Sequence, residues 1–170
     1  MITAMPVTSD RTHLRRRVGL LAVAAGFAAT DLAIKVWATD ALAGAPVEAG
    51  PVDLRLAFNP GAAFSIAADA PTWVLLTLTG VITLAVAVTG WRTAPTARVA
   101  WRLGLAAILG GASANLLDRL PDGVVTDYLH TGWWPTFNLA DAFIVMGAAA
   151  LVTLTMFGSS HERDQLSPEH

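Results

Sequence analysis

The chain has 170 residues, of which 54% are apolar and 14% charged, with a formal net charge of −2. A charged fraction well below the roughly one quarter of soluble domains points to a membrane protein, and the near-neutral charge gives no footprint for nucleic acid. The absence of cysteine excludes disulfides, thiolate metal sites and a cysteine nucleophile, and four scattered histidines without an HExxH-type cluster offer no ligand set for a metal.

Crossing a bilayer core of about 30 Å takes about 20 apolar residues in a helix. The first such stretch, Val18 to Ala38, follows Arg15, Arg16 and Arg17. It is longer than a usual signal-peptide core and contains Asp31 and Lys35, which reads as a retained anchor. After it, Val52, Leu54, Leu56 and Phe58 alternate with Asp53, Arg55 and Ala57, the pattern of a half-buried strand. The strand ends at Asn59-Pro60-Gly61, a turn signal. A small sheet or loop on the outer membrane surface, between helices 1 and 2, is expected there.

Helix 2 is expected over Thr72 to Trp91 and helix 4 over Asn138 to Phe157. Helix 3 is shorter: between Arg102 and Asp118 lie only Leu103 to Leu117. Either it continues through Val99, Ala100 and Trp101, or Asp118 sits at membrane depth. The whole is an all-α membrane protein with four transmembrane helices. Its parts are a basic N-terminus over residues 1–17, one transmembrane domain over 18–158 and a polar tail over 159–170.

Arginines set the expected orientation. Arg11, Arg15, Arg16 and Arg17 precede helix 1, and Arg92, Arg98 and Arg102 flank the loop between helices 2 and 3. The segment from Thr39 to Pro71 has Arg55 against Asp40, Glu48, Asp53 and Asp69. The positive-inside rule then puts both termini in the cytoplasm. The six tryptophans, Trp37, Trp73, Trp91, Trp101, Trp133 and Trp134, fall at or near the expected helix ends, as an interfacial belt does.

Ionisable side chains inside such segments are functional candidates by default. Asp31 and Lys35 share one face of helix 1 at i,i+4 spacing, which an intrahelical ion pair alone would explain. Lys35 is the single lysine, so a serine–lysine dyad would have to use it with Ser65 or Ser113, neither of which stands in a supporting motif. Asn115, Asp118 and Arg119 close helix 3 behind the small-residue run Gly110-Gly111-Ala112-Ser113-Ala114, which favours close helix packing. Asp127, on the loop after helix 3, is by itself an ordinary loop carboxylate. Asn138 and Asp141 open helix 4 in a capping-box-like arrangement. Together, Asn115, Asp118, Asp127, Asn138 and Asp141 collect at one depth, which capping alone does not explain. A proton-coupled transporter would spread its acids through the membrane and often carry an internal repeat; a non-catalytic assembly factor would need them only for packing.

Five segments occur in the order of the five motifs of lipoprotein signal peptidase, or signal peptidase II. They are Asp31-Leu32-Ala33-Ile34-Lys35; Asn59-Pro60-Gly61-Ala62-Ala63-Phe64-Ser65; Gly110 through Asn115-Leu116-Leu117-Asp118-Arg119; Val125-Thr126-Asp127-Tyr128; and Phe137-Asn138-Leu139-Ala140-Asp141. The chain resembles that family over nearly its whole length. The resemblance implies an aspartyl intramembrane endopeptidase with a catalytic dyad of Asp127 and Asp141, supported by Asn59, Asn115, Asp118, Arg119, Asn138, Asp31 and Lys35. It implies no metal or cofactor. The implied substrate is a prolipoprotein whose lipobox cysteine carries diacylglyceryl, cut just before that cysteine. The implied setting is a monomer among membrane lipid in the bacterial plasma (inner) membrane, its site toward the external face. One departure is Ala114, where the family usually has glycine; the stretch between the two dyad motifs is also short.

Overall fold

The computed structural model describes residues 8–61 and 71–158. Four helices and two strands follow in the order α1 (Thr8–Ala41), β1 (Asp53–Asn59), α2 (Thr72–Thr93), α3 (Val99–Arg119), β2 (Val125–His130) and α4 (Leu139–Gly158). All four helices are long and apolar enough to cross a membrane. In hydrocarbon only helices or closed barrels can satisfy every backbone group internally, which is why the apolar runs take this form. The chain is therefore a multi-pass membrane protein.

Helix 3 resolves as the first of the two alternatives. It runs continuously through Val99, Ala100 and Trp101, and its 21 residues carry Asp118 and Arg119 in the last turn. At about 1.5 Å per residue this length suffices to span. Helix 1 starts earlier than hydropathy alone suggests, at Thr8, so much of the basic N-terminal segment is helical. There the Arg16 guanidinium donates to the Pro95 carbonyl at 2.5 Å, and Arg17 donates to the Trp91 carbonyl at 3.1 Å while stacking over the Trp91 ring. These contacts tie the start of α1 to the α2–α3 turn.

Helix α3 packs against each of the other three helices. Its small residues allow this. A Cβ at Gly110 would meet the Ala24 carbonyl oxygen and Phe27 of α1, and one at Gly111 would meet the Ala140 carbonyl oxygen of α4. From the α4 side, Gly147 lies against the Gly104 carbonyl oxygen in the same way. Ala114 is fully buried with Ala28 and Ala140, so its methyl fills the junction of α1, α3 and α4.

The sheet corrects the expectation of a small structure formed between helices 1 and 2. Strand β1 pairs antiparallel with β2, which follows helix 3, so the sheet joins two distant connections. Asp127, expected on a loop, lies in β2. The strand has no period-2 signal because Val125, Thr126, Asp127 and Tyr128 are all buried, on both faces. A strand enclosed on two sides does not alternate.

Candidate active site

Strand register brings the first polar groups together. Ala57 of β1 stands opposite Asp127, so Asn59, two residues on, shares its face and lies diagonal to it. The Asn59 amide nitrogen donates to Asp127 Oδ2 at 3.1 Å. Its oxygen accepts the Gly61 N–H at 2.8 Å, a local turn in which Gly61 adopts a φ of 101°. That left-handed conformation suits glycine, and a Cβ there would also strike Leu75.

Beyond β2 the chain turns back on itself, with Leu129 and Phe137 bridged by backbone hydrogen bonds. The turn delivers Asn138 beside Asp127, where its amide nitrogen donates to Asp127 Oδ1 at 2.7 Å. Asn138 also starts α4: its side-chain oxygen accepts the Asp141 N–H at 3.0 Å, while Asp141 Oδ2 accepts the Asn138 N–H at 3.3 Å. This reciprocal pair caps the helix and fixes Asp141 one turn inside it.

From α3, Asn115 donates its amide N–H to Asp141 Oδ1 at 2.8 Å. From α1, the Lys35 ammonium donates to Asn115 Oδ1 at 2.6 Å and stands 2.9 Å from Asp31 Oδ2 and 3.2 Å from Asp118 Oδ2. Asp118 Oδ2 accepts the Thr126 N–H at 2.7 Å, docking β2 on the end of α3. Asp31 Oδ1 accepts from the Tyr128 hydroxyl at 3.1 Å and from the Ala140 N–H at 3.0 Å. The same hydroxyl accepts the Leu139 N–H at 3.0 Å. Asp31, Lys35, Arg119, Asp127 and Asn138 are buried.

Asp127 and Asp141 line one cavity of about 860 Å³, together with Asn59, Asn115 and Arg119. Its remaining walls are mostly apolar: Ile82 from α2, Ala112 from α3, Ile144 and Val145 from α4, and Trp133 and Trp134 from the β2–α4 turn. Burial pushes the Asp127 carboxyl up to about 6, and the negative charge of Asp141 pushes the same way; hydrogen bonds from Asn59 and Asn138 oppose them. The cluster holds four acids (Asp31, Asp118, Asp127 and Asp141) against two cations (Lys35 and Arg119).

Residues 23–157 match the protein family described as "Signal peptidase (SPase) II". The chain belongs to this family. A lipoprotein signal peptidase of Rhodococcus jostii is 42% identical over 162 residues, covering 86% of this chain and 76% of that protein. One of Mycobacterium avium is 42% identical over 166 residues, covering 92% and 88%. Two solved structures, described as bacterial membrane enzymes determined by the in meso method, share the fold. One has a TM-score of 0.72 at 18% identity over 89% of this chain and 93% of its own, and the other 0.70 at 20% identity over 81% and 92%. Membership makes this chain a membrane-spanning protease that removes signal peptides from prolipoproteins.

Every residue singled out from the motifs of signal peptidase II falls at this end of the bundle. Asp127, Asp141, Asn59, Asn115 and Arg119 line the cavity; Asn138, Asp118, Lys35 and Asp31 lie behind it and bond to its walls. Two further participants carried no assigned role in the sequence, Thr126 and Tyr128. Tyr128 is the single tyrosine of the chain, and its rarity in a membrane sequence was the available signal. Ser65 lies outside the described residues. Lys35 Nζ is directed at two carboxylates and an amide oxygen, Asp31, Asp118 and Asn115.

Proposed function

We propose that this signal peptidase II is an aspartyl endopeptidase in which Asp127 and Asp141 activate a water. The single observation that carries the reading is the shared cavity: two carboxylates on different elements open into one largely apolar space, each already holding directed amide donors. Two neighbouring carboxylates share a proton because both cannot ionise cheaply. Asp141, the anion, takes a proton from the water as its oxygen attacks the scissile carbonyl carbon. Asp127, the acid, gives its proton to the carbonyl oxygen. The resulting tetrahedral diol collapses, the C–N bond breaks, and Asp141 returns the proton it took to the leaving nitrogen. Asp127 recovers its proton from the diol hydroxyl, which restores the starting state without a metal or cofactor.

The apolar walls support a lipid-bearing substrate. A prolipoprotein whose lipobox cysteine carries diacylglyceryl could keep its acyl chains against Ile82, Ile144 and Val145 while the bond before that cysteine reaches the acids. Arg119, whose Nε is buried with no hydrogen-bond partner among the described residues, supplies a donor on the same wall. The arginine bias supports a plasma-membrane enzyme with cytoplasmic termini and an externally facing site, and a single chain supplies the entire constellation, as a monomer requires.

The test is single-turnover cleavage of a diacylglyceryl-modified prolipoprotein, with mass analysis of the product and rates normalised to correctly inserted protein. Asp127→Asn and Asp141→Asn are each expected to lower cleavage by several orders of magnitude, on the order of 10³ or more. Asp118→Asn and Asp31→Asn are expected to reduce folded protein and to retain turnover per folded molecule. Near-normal turnover in Asp127→Asn with none in Asp118→Asn would move the dyad to Asp118.

A further inference from the structure

The chain contains three asparagines, Asn59, Asn115 and Asn138, and all three direct an amide N–H at one of the two acids. An amide can present either end, so something must choose. For Asn59 and Asn138 the choice is made by backbone donors, the N–H groups of Gly61 and Asp141, which face the amide oxygens. For Asn115 it is made by Lys35. The ammonium carries three N–H groups and accepts nothing, so the oxygen that faces it at 2.6 Å must be Oδ1. The amide nitrogen is thereby turned to Asp141 Oδ1 at 2.8 Å. Reversing the amide would set N–H against ammonium and carbonyl oxygen against carboxylate, two repulsions in a buried site.

We infer that Lys35 and Asn115 form a relay that positions Asp141: the lysine on α1 orients the Asn115 amide, and that amide holds Asp141 Oδ1 as a hydrogen-bond acceptor, ready to take the proton of water. The inference rests on the proposed dyad and gives these two residues a role distinct from substrate binding. Lys35 is 2% exposed and does not line the cavity, so it acts through Asn115 rather than on substrate. The groups around Asp141 are Lys35 and Asp31 of α1, Asn115, Asp118 and Arg119 of α3, Asp127 of β2 and Asn138 at the start of α4. Among them Asn115 is the one whose side chain both touches Asp141 and is oriented by a cation. Asp31 and Asp118 anchor Lys35 from the other sides, at 2.9 and 3.2 Å.

The discriminating variant is Asn115→Asp, which keeps an oxygen for Lys35, and so the buried ion cluster, but puts a second carboxylate oxygen against Asp141. With a diacylglyceryl-modified prolipoprotein as substrate, kcat is expected to fall about 100-fold, the scale of losing one directed donor, with KM within about threefold of wild type. The acidic limb of the kcat profile is expected to move to higher pH by about one unit or more. Lys35→Arg, which keeps the cation, is expected to retain more kcat than Lys35→Met among inserted molecules. If Asn115→Asp does not insert, Asn115→Ala removes the donor without adding bulk and must show the same fall in kcat at unchanged KM. A raised KM with unchanged kcat and pH profile would make Asn115 a substrate contact, and unchanged kinetics would make the relay purely structural; either overturns the inference. Wild-type turnover in Asp141→Asn, by contrast, would sink the dyad itself.

Discussion

Asp127 receives an amide N–H on each oxygen, yet its carboxyl is pushed up to about 6, because burial and the charge of Asp141 outweigh both hydrogen bonds. Removing a neighbouring anion lowers a carboxylate's pKa. In Asp141→Asn the Asp127 carboxyl is therefore expected to titrate below 6, measurable by carboxylate infrared bands across a pH series; an unchanged midpoint would mean that the two acids do not sense each other. Tyr128 offers a second residue-scale test. Burial and its hydrogen bond to Asp31 hold its hydroxyl well above the ordinary tyrosine range. Tyr128→Phe leaves the Leu139 N–H without its acceptor and Asp31 without one donor. The expected loss is about 1–3 kcal/mol of stability, read from thermal unfolding in detergent. The residues themselves were legible in the sequence, because ionisable groups in apolar helices announce themselves. Their partners were not: Lys35 and Asp31 read as a simple i,i+4 pair, whereas Lys35 also reaches Asn115 and Asp118, eighty or more positions away in the chain.

Between elements, small residues decide how near the acids can come. Gly111 lies against the Ala140 carbonyl oxygen, one residue before Asp141, so its missing side chain sets the height of α4 on α3. Gly111→Ala is expected to destabilise the protein by about 1–3 kcal/mol through overpacking and to lower kcat. Gly26→Ala in α1, where a Cβ meets nothing within 4 Å, is the control and is expected to leave turnover unchanged, with a small gain in helix stability of up to about 1 kcal/mol. Comparison of melting temperatures and turnover across the two variants checks both. The run from Gly110 to Ala114 already pointed to close packing. Which neighbour each glycine faces depends on how α3 is rotated between α1 and α4, and period alone does not set that. Strand β2 shows the same division: its burial on both faces erased the alternation that made β1 readable.

Across the whole molecule, charge separates the two ends of the bundle. Contacts of Arg16 and Arg17 place the start of α1 beside the α2–α3 turn, while the sheet, the cavity and the acids gather at the opposite end. If the positive-inside rule orients this bundle, a reporter active only outside the membrane should work when fused near Asp53 or Asp122 and fail near Thr96 or Ser160. External signal from Thr96 would reverse the orientation. The clustering of acids at one end also differs from a proton pathway, which needs them spaced through the depth.

The sequence by itself determined the number and placement of the helices, since the cost of unpaired backbone in hydrocarbon leaves few alternatives for long apolar runs. It also determined the family, through five ordered motifs whose polar residues are hard to place in a membrane without a purpose. Only the tertiary structure decided that β1 and β2 form one sheet, which sets Asn59 diagonal to Asp127. It also decided that a lysine on the first helix orients an amide on the third toward an acid on the fourth. Those relations are contacts between residues far apart in the chain, fixed by strand register and helix rotation, and no local pattern encodes either.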